Sequence, residues 1–248
     1  MLSLAVVCEA EPDRHTGCHL ADRVVVDQVQ WIEEELLDAL RQWRGPTPAE
    51  PCLLWRRVRE LAGQRGIRAH GHFEGEPGAP DAAAARRALL LLHAAEPRPD
   101  AVVLLRDDDG EGDRRKGLEQ ARGAARIGVP IVLGVARTKR ECWVLAGFEP
   151  SSEQEKRLLQ EVRQGLGFNP CEHPERLTAH GRPGAKRDAK QVLDEVTAAD
   201  HARQEACWTQ SDLAVLKDRG RGCGLAEYLD EVRGHLVPLF TARGSRSQ

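Results

Sequence analysis

Apolar positions along this chain follow two periods. Short, mostly apolar runs at residues 2–7, 101–105 and 130–135 have the length and composition of strands buried on both faces, and residues 67–73 read as a short extended segment. Between them the spacing turns helical. Val25, Val29, Ile32, Leu36, Leu37 and Leu40 predict a long helix over 21–43, closed by the Gly-Pro-Thr-Pro-Ala-Glu-Pro breaker at 45–51. Further helices are expected over 53–63, over the alanine-rich 82–95 with Asp81 as N-cap, from Asp113 to about residue 127, and over 140–145. Pro97 and Pro99 end the alanine-rich helix. The order β-α-α-β-α-β-α-β implies an α/β fold: a mainly parallel sheet flanked by helices.

After residue 150 no strand-like run occurs. Ser152 and Glu155 form a capping-box pattern for a helix reaching about residue 166. Residues 169–184 read as loop. Helices are expected over 186–196, 199–208, 211–217 and 225–236, with a frayed polar tail at 242–248. The expected organisation is an α/β domain over 1–147 and a C-terminal helical region over 148–248.

Composition narrows the setting. No apolar run approaches the roughly 20 residues that span a membrane. The start, Met1-Leu-Ser-Leu-Ala-Val-Val-Cys-Glu9, lacks a basic segment and reads as a first strand rather than a signal peptide. The cysteines number seven, with no Cys-x-x-Cys pair, which points to a reducing cytoplasm. Their spacing with nearby histidines (His15, Cys18 and His19; His70 and His72; Cys171 and His173) is not that of structural zinc sites. A net charge of −3 argues against a surface that binds polyanions throughout. Local basic clusters could still guide phosphates: Arg114-Arg115-Lys116, Arg137/Lys139/Arg140 and Arg182/Lys186/Arg187/Lys190.

The most informative stretch is 100–113, where an apolar run ends in Asp107-Asp108-Asp109-Gly110. In extended chain Asp107 and Asp109 leave the same face. Two neighbouring carboxylates repel unless a cation lies between them. The carboxyl end of a buried strand is also where open α/β sheets place their ligands. A Mg²⁺ or Mn²⁺ site follows as an expectation, with Asp108 turned away and serving the next helix. Glu9 ends the first strand, which can neighbour the third and so bring its carboxylate to the aspartates.

Glu9 after the first strand and Asp107-x-Asp109 after the third, in this strand order, resemble the TOPRIM domain shared by topoisomerases, bacterial primases and OLD-type nucleases. The stretch Lys139-Arg-Glu-Cys-Trp143 resembles the acidic helix start of small standalone bacterial TOPRIM-like proteins. His173-Pro-Glu and Lys186-Arg-x-Ala-Lys190 are similar to their downstream patterns. The likeness covers residues 1–147, with an extra helix before the second strand. It implies a Mg²⁺- or Mn²⁺-dependent nuclease that hydrolyses phosphodiester bonds in DNA or RNA, placed in bacterial antiphage defence. Asp107 and Asp109 would bind metal. Glu9 would bind metal or act as general base, Glu141 would complete the acidic cluster, and Lys139 would neutralise a scissile phosphate. Tyr228, the only tyrosine, lies in an amphipathic helix and reads as packing, so water rather than tyrosine would be the nucleophile.

Other readings compete. A non-catalytic TOPRIM-like sensor or scaffold would serve a protein partner in a multi-protein defence system. Nucleotide-sugar transferases also carry Asp-x-Asp after a strand, but no nucleoside-binding region is evident before it. Phosphatases with an aspartate nucleophile put the motif after the first strand. A homo-oligomer is compatible with the sequence.

Overall fold

The computed structural model describes residues 1–179 and 185–244. The chain forms two compact units. The first comprises the described residues of 1–106, 111–135 and 230–248, and the second those of 107–110 and 136–229. In chain order the elements are β1 (Leu2–Cys8), α1 (Glu11–Gln28), a 3-10 turn (Glu34–Leu36), α2 (Leu37–Leu40), β2 (Arg41–Arg44), β3 (Leu53–Leu54), α3 (Trp55–Gln64), β4 (His72–Phe73), β5 (Glu76–Pro77) and α4 (Ala82–His93). They continue with β6 (Ala101–Asp107), α5 (Arg114–Ala124), β7 (Ile131–Ala136), α6 (Arg140–Ala146), α7 (Glu153–Leu166), a second 3-10 turn (Pro174–Arg176), α8 (Ala189–Val196), α9 (His201–Thr209), α10 (Leu213–Arg219), α11 (Leu225–His235) and α12 (Val237–Gly244). The fold is α/β, a mainly parallel five-stranded sheet flanked by helices.

The sheet runs β2-β1-β6-β7, and β3 also pairs with β1. β1 is parallel to β2, β3 and β6, with Leu4 opposite Ala101 and Val7 opposite Leu104. Both faces of β1, β6 and β7 are covered, which is why they read as near-continuous apolar runs. Ala5, Val7, Val102, Leu104, Leu133 and Val135 pack with residues of α3, α4 and α5. Leu4, Val6, Val103 and Leu105 are buried on the alternate side, where Gly17 of α1 meets Leu105. Gly117 of α5 lies against the Pro80 backbone carbonyl, where a Cβ would have no room. Gly117→Ala is therefore expected to destabilise the chain by about 2 kcal/mol, as overpacking against rigid backbone does. Urea unfolding checks this.

Three sequence expectations change. The first helix is Glu11–Gln28, not 21–43, and residues 41–44 form the edge strand β2. The helical spacing of Val29, Ile32 and Leu37 persists through turns that still bury those side chains, so periodicity alone overran the helix. The run 67–73 supplies only His72–Phe73, half of a small hairpin with Glu76–Pro77 that stands apart from the main sheet. The tail expected to fray from 242 is helical to Gly244, and 245–248 lie outside the described residues.

In the second unit α6 is the centre. Cys142, Trp143, Val144, Leu145 and Ala146 are all buried, and α8, α9 and α10 pack around them. Tyr228 is fully buried and stacks on Trp143 at 5.0 Å between ring centroids, a packing role. Ser152 caps α7 by accepting the Glu155 N–H at 3.2 Å. The Glu155 carboxylate accepts from Ser151 rather than closing the box on Ser152.

Candidate functional site

In the first unit the pairing of β1 with β6 brings Glu9 beside Arg106. The Arg106 Nη1 donates to Glu9 Oε1 at 2.9 Å, and its Nε donates to Asp81 Oδ2 at 2.8 Å. Its guanidinium also lies 5.6 Å from the centroid of the Trp55 ring, whose Nε1 donates to the Leu105 carbonyl at 2.7 Å. Arg114 Nε approaches the same Asp81 at 3.7 Å. Asp81 thus serves an ion-pair network rather than the expected helix cap. Its φ is 64° and it makes no side-chain cap bond to α4.

In the second unit the aspartate run meets the start of α6. Asp107 Oδ1 accepts the Arg140 backbone N–H at 2.8 Å, which places Asp107 at the first turn of the helix that carries Glu141. The Asp108 N–H donates to the Ala136 carbonyl at 2.9 Å and the Asp109 N–H to the Thr138 carbonyl at 3.1 Å. The buried Asp108 accepts the Gly110 N–H at 2.8 Å. Asp109 (φ 48°) and Gly110 (φ 79°) are left-handed, so the extended chain that would put Asp107 and Asp109 on one face ends at Asp107. Asp108 holds its own turn, not α5, and Asp113 at the head of α5 makes no side-chain cap bond. Lys139 Nζ lies 3.5 Å from Asp188, and Glu141 lies 3.1 Å from Arg140.

The second unit therefore joins Asp107 to the 139–141 stretch, two signals 32 residues or more apart in sequence. Glu9 belongs to the first unit, with Arg106 and Asp81. Neither Arg106 nor Asp81 stood out as a site residue in the sequence. The available signal was Arg106 itself, a cation ending an apolar strand beside three aspartates. The basic clusters are largely ion-paired: Arg115 with Glu119, Arg137 with Glu227 and Lys139 with Asp188. Arg182 lies outside the described residues.

Among the described residues no group of three or more His, Cys, Asp or Glu side chains gathers as a metal site would. The donor chemistry of Glu9, Asp107, Asp109 and Glu141 is nonetheless the hard-oxygen kind that Mg²⁺ and Mn²⁺ take. At Glu9 such an ion meets a cation already in place, the Arg106 guanidinium. No helix among the described residues is long and apolar enough to cross a membrane.

Comparison with protein-family models, with curated proteins and with solved structures finds no match for this chain. The class rests on the fold alone: an α/β protein with a mainly parallel sheet, and acidic residues following two adjacent central strands.

Proposed function

We propose that the chain is a TOPRIM-type nuclease that hydrolyses phosphodiester bonds in DNA or RNA with Mg²⁺ or Mn²⁺ as cofactor. The strand order carries this reading. Connectivity reverses between β1 and β6, and open α/β sheets bind their ligands outside the carboxyl ends of the strands at that reversal. Glu9 and the Asp107 run follow those two ends. On this reading Asp107, Asp109 and Glu141, all of the second unit, would hold the ion. Once bound, it would acidify water and polarise a phosphoryl oxygen. The resemblance would make Glu9 a general base and Lys139 a support for charge on the phosphate.

The test is cleavage of plasmid DNA and structured RNA with Mg²⁺, with Mn²⁺ and with chelator. Cleavage is expected only with metal, and Asp107→Ala/Asp109→Ala is expected to lower it at least 100-fold. Undiminished activity in the folded double variant would end the proposal.

The Arg106–Glu9 pair favours a second reading, a non-catalytic TOPRIM-like sensor or scaffold that works through a protein partner in a defence system. It predicts no cleavage under any of these conditions and a stable complex with that partner.

A further inference from the structure

Cations without a carboxylate partner gather on α3 and just beyond it. Residues 55–70 hold five arginines, Arg56, Arg57, Arg59, Arg65 and Arg68, against one carboxylate, Glu60. All five arginines are exposed. Arg57 reaches Glu50 at 3.5 Å and its side chain stays 47% exposed. Glu60 is engaged by the Gln64 amide at 3.0 Å. Among the described residues, the guanidinium groups of Arg56, Arg59, Arg65 and Arg68 have no carboxylate partner. Trp55, Val58 and Ala62 anchor α3 to the core of the first unit. That leaves Arg56 and Arg59, one turn apart, side by side in solvent.

The exposed side of this segment offers charge and nothing apolar. Among the described residues the exposed large hydrophobics are Met1, Trp31 and Leu36, none of them here. A Cβ on Gly63, one turn past Arg59, would meet nothing within 4 Å. A protein interface needs an apolar core, and a helix lying on a membrane needs apolar anchors. A polyanion held through its phosphates needs neither. The arginine fork also takes phosphate oxygens in pairs.

We propose that the exposed face of α3, with Arg65 and Arg68 beyond its end, docks the phosphate backbone of a nucleic acid. The identity of the polyanion rests on the nuclease reading, whereas its seat on α3 rests on the unpaired arginines. The face begins one residue after Trp55, whose ring meets the Arg106 guanidinium that pairs with Glu9. In the first unit it therefore starts at the carboxyl ends of the central strands. Phosphate contacts carry no base information, so charge and salt set the affinity and sequence does not.

The experiment follows fluorescence anisotropy of short labelled DNA and RNA duplexes, each in two sequences, titrated with the full-length protein in EDTA. Binding is expected at about 50 mM salt, equal for both sequences and weakening steeply toward about 200 mM. Arg56→Gln/Arg59→Gln should weaken it about tenfold at the lower salt and reduce the logarithmic salt slope by about 2. Gly63→Glu places a carboxylate in open space beside Arg59 and should weaken binding about threefold. Phosphatidylserine vesicles and polyglutamate are the competing polyanions, and each should bind more weakly than the duplexes. Three results would overturn the proposal: no duplex binding at the lower salt, unchanged affinity and slope in both variants, or tighter binding to vesicles or polyglutamate. Because EDTA removes the metal, the outcome is separate from cleavage. Duplex binding through α3 by a protein that never cleaves keeps the docking face and ends the nuclease reading. Cleavage with an unchanged KM in both variants does the reverse.

Discussion

Replacing Arg44 with methionine is expected to destabilise the chain by about 3–5 kcal/mol, read as a lower urea midpoint. Arg44 is 0% exposed at the end of the edge strand β2. Its Nε donates to Ser3 Oγ at 2.5 Å, and Nη1 donates to the Gly45 and Pro46 carbonyls at 3.0 and 3.1 Å. Nη2 donates to the Pro97 carbonyl. One guanidinium fork thus satisfies three carbonyls from two loops and ties the edge of the sheet to the turn before β6. Methionine fills much of the volume but leaves those acceptors without their donor, at about 1–3 kcal/mol for each one that stays buried. Charge balance is indirect. The Asp100 carboxylate, which accepts the Ser3 N–H at 2.7 Å, is the negative group that favours the charged guanidinium against burial. Arg44→Lys keeps the charge but not the fork, and is expected to lose about half as much stability. An unchanged midpoint in Arg44→Met would mean that solvent reaches those carbonyls.

Arg44 also explains why β2 was hard to read from sequence. Arg41-Gln-Trp-Arg44 has no apolar run, and its strand character comes from pairing with Leu2–Ala5 of β1 and from a buried arginine that hydropathy counts as polar. The central strands behaved oppositely. Ala101–Asp107 is buried on both faces through Leu105, so composition alone located it and its end. Helix α1 was missed over residues 11–20 because Pro12, Gly17 and several polar residues break the apolar rhythm there, although Cys18 and Leu20 are buried. At the candidate site, strand order led to the adjacency of β1 and β6. Composition could not show that Asp107 would accept the Arg140 N–H, or that Arg106 would be the partner of Glu9. Both depend on the backbone path after a strand ends, which no periodic pattern encodes.

Arg106→Gln is expected to have two effects that separate the functional readings. The first is structural. The Arg106 side chain is 17% exposed and pairs with Glu9 and Asp81, themselves 32% and 20% exposed. Removing its charge leaves two partly buried carboxylates short of a partner and loosens the contact with Trp55. Full burial would make such a loss worth about 3–5 kcal/mol, and partial solvation of the carboxylates reduces it to about 2–3 kcal/mol. The penalty should shrink as salt screens the carboxylates, so unfolding at low and high ionic strength checks it. The second effect concerns cations. If Glu9 contributes to a divalent-ion site, that ion must displace the Arg106 guanidinium, and a neutral side chain at 106 removes the competition. An ion-pair contribution near 1.4 kcal/mol corresponds to about tenfold tighter Mn²⁺ binding in Arg106→Gln than in the wild type, measured by calorimetry. A scaffold whose Glu9 is permanently neutralised by Arg106 would bind Mn²⁺ no better than an unrelated acidic surface, and the substitution would then cost stability without any gain in metal affinity. The sign of the affinity change therefore bears on function whatever the variant does to stability, since Mn²⁺ titration of the folded fraction is read separately from the urea midpoint.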